Sequence, residues 1–350
     1  MIKPIDISGR SIGPGAPCFI AAEIGINHNG DIQLAHNMID VAADAGADAV
    51  KFQNYRTEDF LSGRELTYTY ISQGHEVTES QWDMFKRCEL GAEALAELRR
   101  HCECRNLVFF STPTSEAGVE QLVRFGAHLL KNGSDYLVHL PLIRAMAATG
   151  IPTVLSTGMA TLEEIDDAVH AFRDAGGRDL ILLHCTSSYP TPPIEVNLRN
   201  IPALRERFGC PIGFSDHSDG ITAAIGSVAL GSCMVEKHFT LDKYSPGPDH
   251  RFSADPAELA ALVRGVRMLE MQLGDGEVGP TASEAEGRRE FRLSCVAARN
   301  LPAGHTLEGV DIFFRRPGDG LPPRMAPQLI GRSLTRAVGV GEQLGFPEVS

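Results

Sequence analysis

Eight short apolar runs, each giving way at once to polar or small residues, punctuate the first 240 positions of this chain. They are "CFIAAEIGINHNG" from 18, "DAVKFQ" from 48, "LVFFSTP" from 107, "HLLKNGS" from 128, "PTVLSTG" from 152, "LILLHCTSSYPTP" from 180, "PIGFSDHS" from 211 and "CMVEKHF" from 233. Between them lie segments with helical spacing of apolar residues, including "DIQLAHNMIDVAADAG", "LGAEALAELRRHCE", "LEEIDDAVHAFRDAGG" and "DPAELAALVRGVRMLEMQLG". Continuous apolar strands alternating with helices indicate a parallel sheet with both faces covered, and eight such units close a TIM (β/α)8 barrel. An open doubly wound sheet is the runner-up, but no Gly-x-Gly-x-x-Gly loop follows the first strand. The long insertion after the second strand, roughly residues 54 to 80, is expected to be a βα loop on the active-site face, acting as a lid.

Single cores stop growing at about 250–300 residues, so a chain of 350 calls for a second domain. The barrel is expected over 1–272 and a Gly/Glu/Ser-rich linker over 273–290. A small domain of short strand-like runs is expected over 291–350. A formal net charge of -13 argues against a nucleic-acid surface. No run approaches the roughly 20 apolar residues of a membrane span, and no apolar leader opens the sequence. The eight Cys include no Cys-x-x-Cys pair and several lie in apolar runs, which suits buried, reduced thiols and a cytoplasmic setting.

Barrel enzymes place their chemistry at the C-terminal ends of the strands. Here those ends carry Glu23, Asn27 and His28; Lys51 and Gln53; Ser111 and Thr112; Lys131 and Ser134; Ser156 and Thr157. Further on come His184, Ser187, Ser188 and Tyr189; Ser215, Asp216 and His217; and Glu236, Lys237 and His238. A lone Ser in such a place ordinarily caps the next helix. Two lysines and several hydroxyls converging on one mouth instead form a receptor for a phosphate or carboxylate. His217 and His238 fall on adjacent strands about 4.8 Å apart, so their imidazoles are candidates to share one metal ion with positions left for substrate. Asp216 is expected to support a ligating His.

Taken in order, "AEIGINHNGD", "DAVKFQ", "LSTGMAT", "LLHCTSSYPTP", "GFSDHS", "EKHFT" and "PGPDHRFSADPAEL" resemble the N-acetylneuraminate (sialic acid) synthase family. The tail from about 291 resembles that family's antifreeze-like SAF domain. The resemblance implies condensation of phosphoenolpyruvate with an open-chain N-acylated mannosamine-type sugar, with a divalent cation (Mn2+ or Mg2+), in a domain-swapped homodimer. It implies that Lys51, Gln53, Lys131, Ser134, Ser156, Ser187 and Ser215 hold phosphoenolpyruvate and that His217 and His238 hold the metal. Glu23 would position or deprotonate the water that attacks C2, Asp249 and Tyr189 would lie near the sugar, and Arg316 would reach from the neighbouring subunit to the N-acyl group.

The sequence departs from the family at "KNGSDY", where a sugar-contacting Glu is replaced by Tyr136 with Asp135 beside it, and at Ser187, where some members carry Asn. A legionaminic- or pseudaminic-type acid made from a 2,4-diacetamido-trideoxy sugar is therefore the alternative product. Two rival readings are a Schiff-base lyase using Lys51, Lys131 or Lys237, and a non-catalytic carbohydrate-binding protein.

Overall fold

The protein, seen in a computed structural model, is described over residues 2–350 and divides into two compact units, 1–274 and 275–350. The first opens with an antiparallel pair, β1 (Ile5–Ile7) and β2 (Arg10–Ile12). Then come β3 (Phe19–Gly25), α1 (Ile32–Asp44) and β4 (Ala49–Asn54). An insertion follows: α2 (Thr57–Phe60), the hairpin β5 (Thr67–Ser72) and β6 (His75–Ser80), and α3 (Gln81–Cys88). Alternation resumes with α4 (Ala92–Cys104), β7 (Val108–Pro113), α5 (Glu116–Arg124), β8 (Leu130–Asn132) and α6 (Leu140–Ala148). It continues through β9 (Thr153–Ser156), α7 (Leu162–Asp174), β10 (Leu180–Cys185), α8 (Asn200–Phe208), β11 (Ile212–Asp216), α9 (Thr222–Ala229), β12 (Met234–His238) and α10 (Pro256–Leu273).

The eight expected strands, β3, β4, β7, β8, β9, β10, β11 and β12, pair in parallel in chain order and close on themselves, so the structure is a TIM barrel. Side chains on a strand alternate between faces, which divides each run into an inward and an outward set. Ile20, Ala22 and Ile24 of β3 point out and pack with α1 residues Met38 and Ile39, while Phe19 and Ala21 point in. The lower lumen is filled by Phe19, Val108, Phe110, Leu129, Val154 and Ile181, and Ile5, Ile7 and Ile12 of the β1–β2 pair join this cluster, so the hairpin plugs the bottom of the barrel. Asp48 fastens the plug. It accepts hydrogen bonds from the Ile20 N–H (2.8 Å), Arg10 (2.6 Å) and Arg267 of α10 (2.9 Å).

The insertion is not the plain loop expected from the sequence. It carries a β-hairpin and a helix, with Ser72 Oγ accepting the Gly247 N–H at 3.2 Å. The 275–290 stretch, expected as a linker, holds α11 (Ala285–Glu290) and belongs to the second unit. That unit pairs β13 (Ser294–Ala297) with β14 (Ile312–Arg315) around Cys295, Leu301, Leu307, Leu329, Leu334 and Leu344. Its buried Asp311 accepts from Arg299 (2.8 Å) and His305 (2.7 Å).

One buried ion pair stands outside the lumen. Lys237 Nζ lies 3.0 Å from Asp216 Oδ2 and donates to the Ser218 carbonyl, while Asp216 Oδ1 accepts the Ser218 N–H (2.9 Å) and hydroxyl (2.6 Å). Removing one partner of such a pair strands the other charge without water. Asp216→Ala should cost about 3–5 kcal/mol, read as a lowered urea midpoint with unchanged slope. A midpoint equal to wild type would show that the pair contributes nothing to the barrel.

Candidate active site

Above the apolar lumen the inward positions turn polar and open into a cavity of about 700 Å³ at the C-terminal ends of the strands. Glu23 and Lys51 sit opposite one another in the β3–β4 register and form an ion pair of 2.9 Å, with Lys51 also donating to Thr112 Oγ1 at 3.2 Å. The register slips immediately after Glu23, at a bulge where Gly25 adopts φ +54; a Cβ there would lie 2.9 Å from Glu23 Oε1. Bulges of this kind re-aim the neighbouring side chain. Across the lumen, Lys131 of β8 lies 3.7 Å from Glu236 of β12, whose Oε1 also accepts the Ser215 hydroxyl at 3.0 Å. These four ionisable groups are all at most 4% exposed.

Burial and opposite charge compete in their titration. It lifts Glu23 to about 7, against the pull of Lys51, and holds Lys131 below an ordinary lysine. Burial also acts to lower Lys51 and to raise Glu236, but in both the opposite charges win: Lys51 is raised and Glu236 lowered.

The imidazoles of His217 and His238 approach with ring centroids 5.4 Å apart. His217 Nδ1 donates to the Thr186 carbonyl at 2.8 Å, which fixes the tautomer and leaves Nε2 as the ligand nitrogen, 3.4 Å from Ser215 Oγ. His238 Nδ1 is buried without a hydrogen bond, with Asp249 Oδ2 at 3.6 Å. Burial holds His217 down at about 4 and His238 well below the usual imidazole range, so both are neutral donors at physiological pH. Burial raises Asp249 to about 7. Tyr189 packs its ring 4.4 Å from His217.

Several buried polar atoms at this level have no partner in the protein: Glu23 Oε2, Ser156 Oγ, Ser187 Oγ, Glu236 Oε2 and His238 Nδ1. Buried polar groups are ordinarily satisfied, so such a set marks a place built for a ligand. Around Gly158 the fit is close. Its N–H donates to Ser134 Oγ at 3.1 Å, and a Cβ there would lie 2.3 Å from Ser187 Oγ and 2.7 Å from Ser134 Oγ. Backbone N–H, hydroxyls and two lysines together suit an anion. The two neutral imidazoles suit a borderline divalent ion. Among the described residues no set of three His, Cys, Asp or Glu converges to hold a metal, so an ion here would take its remaining ligands from substrate and water.

The cavity brings together Glu23, Lys51, Gln53, Lys131, Ser134, Ser156, Ser187, Tyr189, Ser215, His217, His238 and Asp249. Arg316 belongs to the second unit, where it is exposed and lies over the Phe291 ring at 5.2 Å. Thr112 and Ser188 line the cavity as well, whereas several other polar strand ends are structural. Asn27 donates to the Phe239 carbonyl, Ser111 to Phe52 and Thr157 to Leu183, and His184 Nε2 bonds to the Val196 carbonyl. Asp216 does not support a ligating His, and Lys237 is no candidate for a Schiff base: both point away from the lumen and pair with each other. Glu236, given no role in the sequence reading, is central, and its signal was the two-residue period that puts it on the same face as His238.

Comparison with known proteins agrees with this architecture. Residues 38–278 match the NeuB family and residues 294–349 the SAF domain. The chain is 36% identical to the N,N'-diacetyllegionaminic acid synthase of Campylobacter jejuni, covering 91% of this chain and 96% of that protein. It is 35% identical to the synthase of the same name from Legionella pneumophila, over 95% and 94%. A crystal structure of N-acetylneuraminic acid (sialic acid) synthetase from Leptospira borgpetersenii superposes with a TM-score of 0.74 at 38% identity, over 82% of this chain and 95% of that one. With a family model that matches residues 38–278 and relatives 35–36% identical over more than nine-tenths of the chain, the chain belongs to the NeuB family.

Proposed function

We propose that the protein is a nonulosonic acid synthase that condenses phosphoenolpyruvate with the open-chain aldehyde of an N-acylated mannosamine-type sugar and releases phosphate. The observation that carries this reading is the union, in one cavity, of a buried Lys51–Lys131–hydroxyl floor with two neutral imidazoles. Phosphoenolpyruvate lies across the floor, its anionic groups against Lys51, Lys131, Ser134, Ser156, Ser187 and Ser215. Gln53 extends the same wall. His217 and His238 are the residues that would hold Mn2+ or Mg2+, which when bound supplies Lewis-acid polarisation of the aldehyde oxygen. Tyr189 and Asp249 border the sugar beside those rings.

In the condensation, C3 of phosphoenolpyruvate forms a bond to the aldehyde carbon, the aldehyde oxygen takes up a proton, water adds to C2, and the C2–O bond to phosphate breaks. Glu23 holds that water. A carboxyl poised near 7 beside the Lys51 ammonium passes a proton in either direction at working pH. Desolvation keeps the two imidazoles unprotonated, so they do not compete for that proton.

We further propose that the enzyme works as a domain-swapped homodimer. The barrel mouth carries exposed Val138, Met159 and Ile194, and the SAF unit exposes Phe313, Phe314 and Val310, apolar surfaces that a second copy would cover. Arg316 would then meet the N-acyl group of the partner's sugar. Eight free thiols, seven of them buried, accord with a reducing, cytoplasmic setting.

The direct test is phosphate release from phosphoenolpyruvate with manganese and an acceptor. Release should be lost in EDTA and restored by metal, and His217→Ala or His238→Ala should lower kcat at least 100-fold with a cooperative melt retained, about the weight of a principal electrostatic group. Full turnover in EDTA would contradict the metal-dependent reading. In the same assay Arg316→Ala should raise the acceptor KM and spare that of phosphoenolpyruvate.

The pH dependence separates the carboxyls. If ionised Glu23 is the base, kcat/KM falls as pH drops through about 7 and is not limited by the imidazoles until about 4. Asp249→Asn should retain that acid limb, because Asp249 is raised to the same region but does not hold the water. Loss of the limb in Asp249→Asn would transfer the proton-handling role to Asp249.

A further inference from the structure

Cys185 takes no part in the condensation chemistry, yet it touches the floor of the cavity. Inward positions on β10 recur every second residue, so Ile181 and Leu183 fill the lumen and Cys185 is the next in line. Cys18, Cys88, Cys102, Cys210, Cys233 and Cys295 pack into apolar clusters. Cys185, only 5% exposed, meets polar groups instead. Its Sγ lies 3.1 Å from Ser134 Oγ, and that oxygen accepts the Gly158 N–H, also at 3.1 Å. A Cβ on Gly158 would come within 2.9 Å of the sulfur, so the glycine is what lets thiol, hydroxyl and backbone close together. Ser134 reaches the cavity, and Ser187 Oγ, against the same glycine, is buried with no partner in the protein.

A serine hydroxyl has one proton to give and two acceptor positions. The Gly158 N–H, always a donor, fills one of those positions on Ser134. A neutral thiol is a weak donor and a weak acceptor. Burial holds that of Cys185 above the usual thiol range, against the pull of Ser134 and Lys131, so it carries its proton at working pH. Were Ser134 to donate to the sulfur, its proton would be spent on a poor acceptor and the S–H would stand idle. Resting on the proposed seating of phosphoenolpyruvate against Ser134, we infer that Cys185 is a positioning residue for that substrate: its S–H donates to Ser134 Oγ, fills the second acceptor position and commits the Ser134 O–H to the anion. Donors aimed at one oxygen also polarise its O–H bond, and hydrogen bonds in such a chain strengthen one another. With both acceptor positions taken, the hydroxyl has no lone pair left to turn on the incoming oxygens.

Calorimetric titration of phosphoenolpyruvate into the full chain tests this with Cys185→Ala, Cys185→Val and Cys185→Ser, each checked for a cooperative melt. Losing the donor should raise Kd roughly 3- to 10-fold in the alanine and valine variants, and serine, which supplies a donor again, should return it to within about twofold of wild type. Valine fills the space of the thiol, so a residue that merely packs would tolerate it better than serine. In a Ser134→Ala background, itself weakened, adding Cys185→Ala should raise Kd no further, because the thiol acts only through that hydroxyl. In steady state Cys185→Ala should raise the phosphoenolpyruvate KM and spare that of the acceptor. Wild-type affinity in the alanine and valine variants, a serine variant no better than alanine, or a Cys185→Ala loss that persists in full without the Ser134 hydroxyl overturns the inference and leaves the condensation standing. A wild-type chain that does not bind phosphoenolpyruvate overturns the condensation reading and the inference with it.

Discussion

A contact across the barrel organises the molecule: Lys131 on β8 faces Glu236 on β12, four strands away in a ring of eight, at 3.7 Å. A second pair, Glu23 with Lys51, closes the adjacent side at 2.9 Å. Taking such charges out of water costs several kcal/mol apiece, and pairing offsets only part of that. A barrel selected for stability alone would continue the apolar layers of Phe110, Val154 and Ile181 upward. The polar level instead leaves one oxygen of each glutamate and two serine hydroxyls without partners, a cost that makes sense when a ligand completes the network.

The parts of the barrel outside the cavity hold that level still. The β1–β2 plug, the Asp48 clamp and the outward Lys237–Asp216 pair involve no cavity residue, yet each ties down strands that carry one. Loops then add the remaining function, as rigid scaffolds with variable loops commonly do. The β9–α7 turn brings the Gly158 N–H to Ser134, and the insertion after β4 walls the far end of the cavity.

Much of this was legible in the sequence because a buried parallel strand reads as an unbroken apolar run, and all eight runs became barrel strands. The same logic, with the family resemblance, located Lys51, Lys131, His217 and His238. It failed where direction matters more than position. Asp216 and His217 are neighbours, as are Lys237 and His238, but strand alternation sends one of each pair into the lumen and the other toward the helices. Counting inward from His238 by twos would have assigned Glu236 and removed Lys237. The β5–β6 hairpin was hidden for a different reason: "TYTYIS" and "HEVTES" are half-exposed, so no apolar run announces them. The plug strands are three residues each, too short for any periodicity to register.

The claim on which everything else rests is that the buried lysines receive an anion. Calorimetric titration of phosphoenolpyruvate into the full chain, with Lys51→Met and Lys131→Met in parallel, addresses it without requiring the acceptor. Saturable binding to the wild-type protein, weakened at least tenfold in each folded variant, is the expected result when a buried ammonium that hydrogen-bonds the anion is replaced by an apolar side chain. Wild-type binding that is absent, or that persists unchanged in both variants, would contradict it and leave the four buried charges without a ligand to explain them.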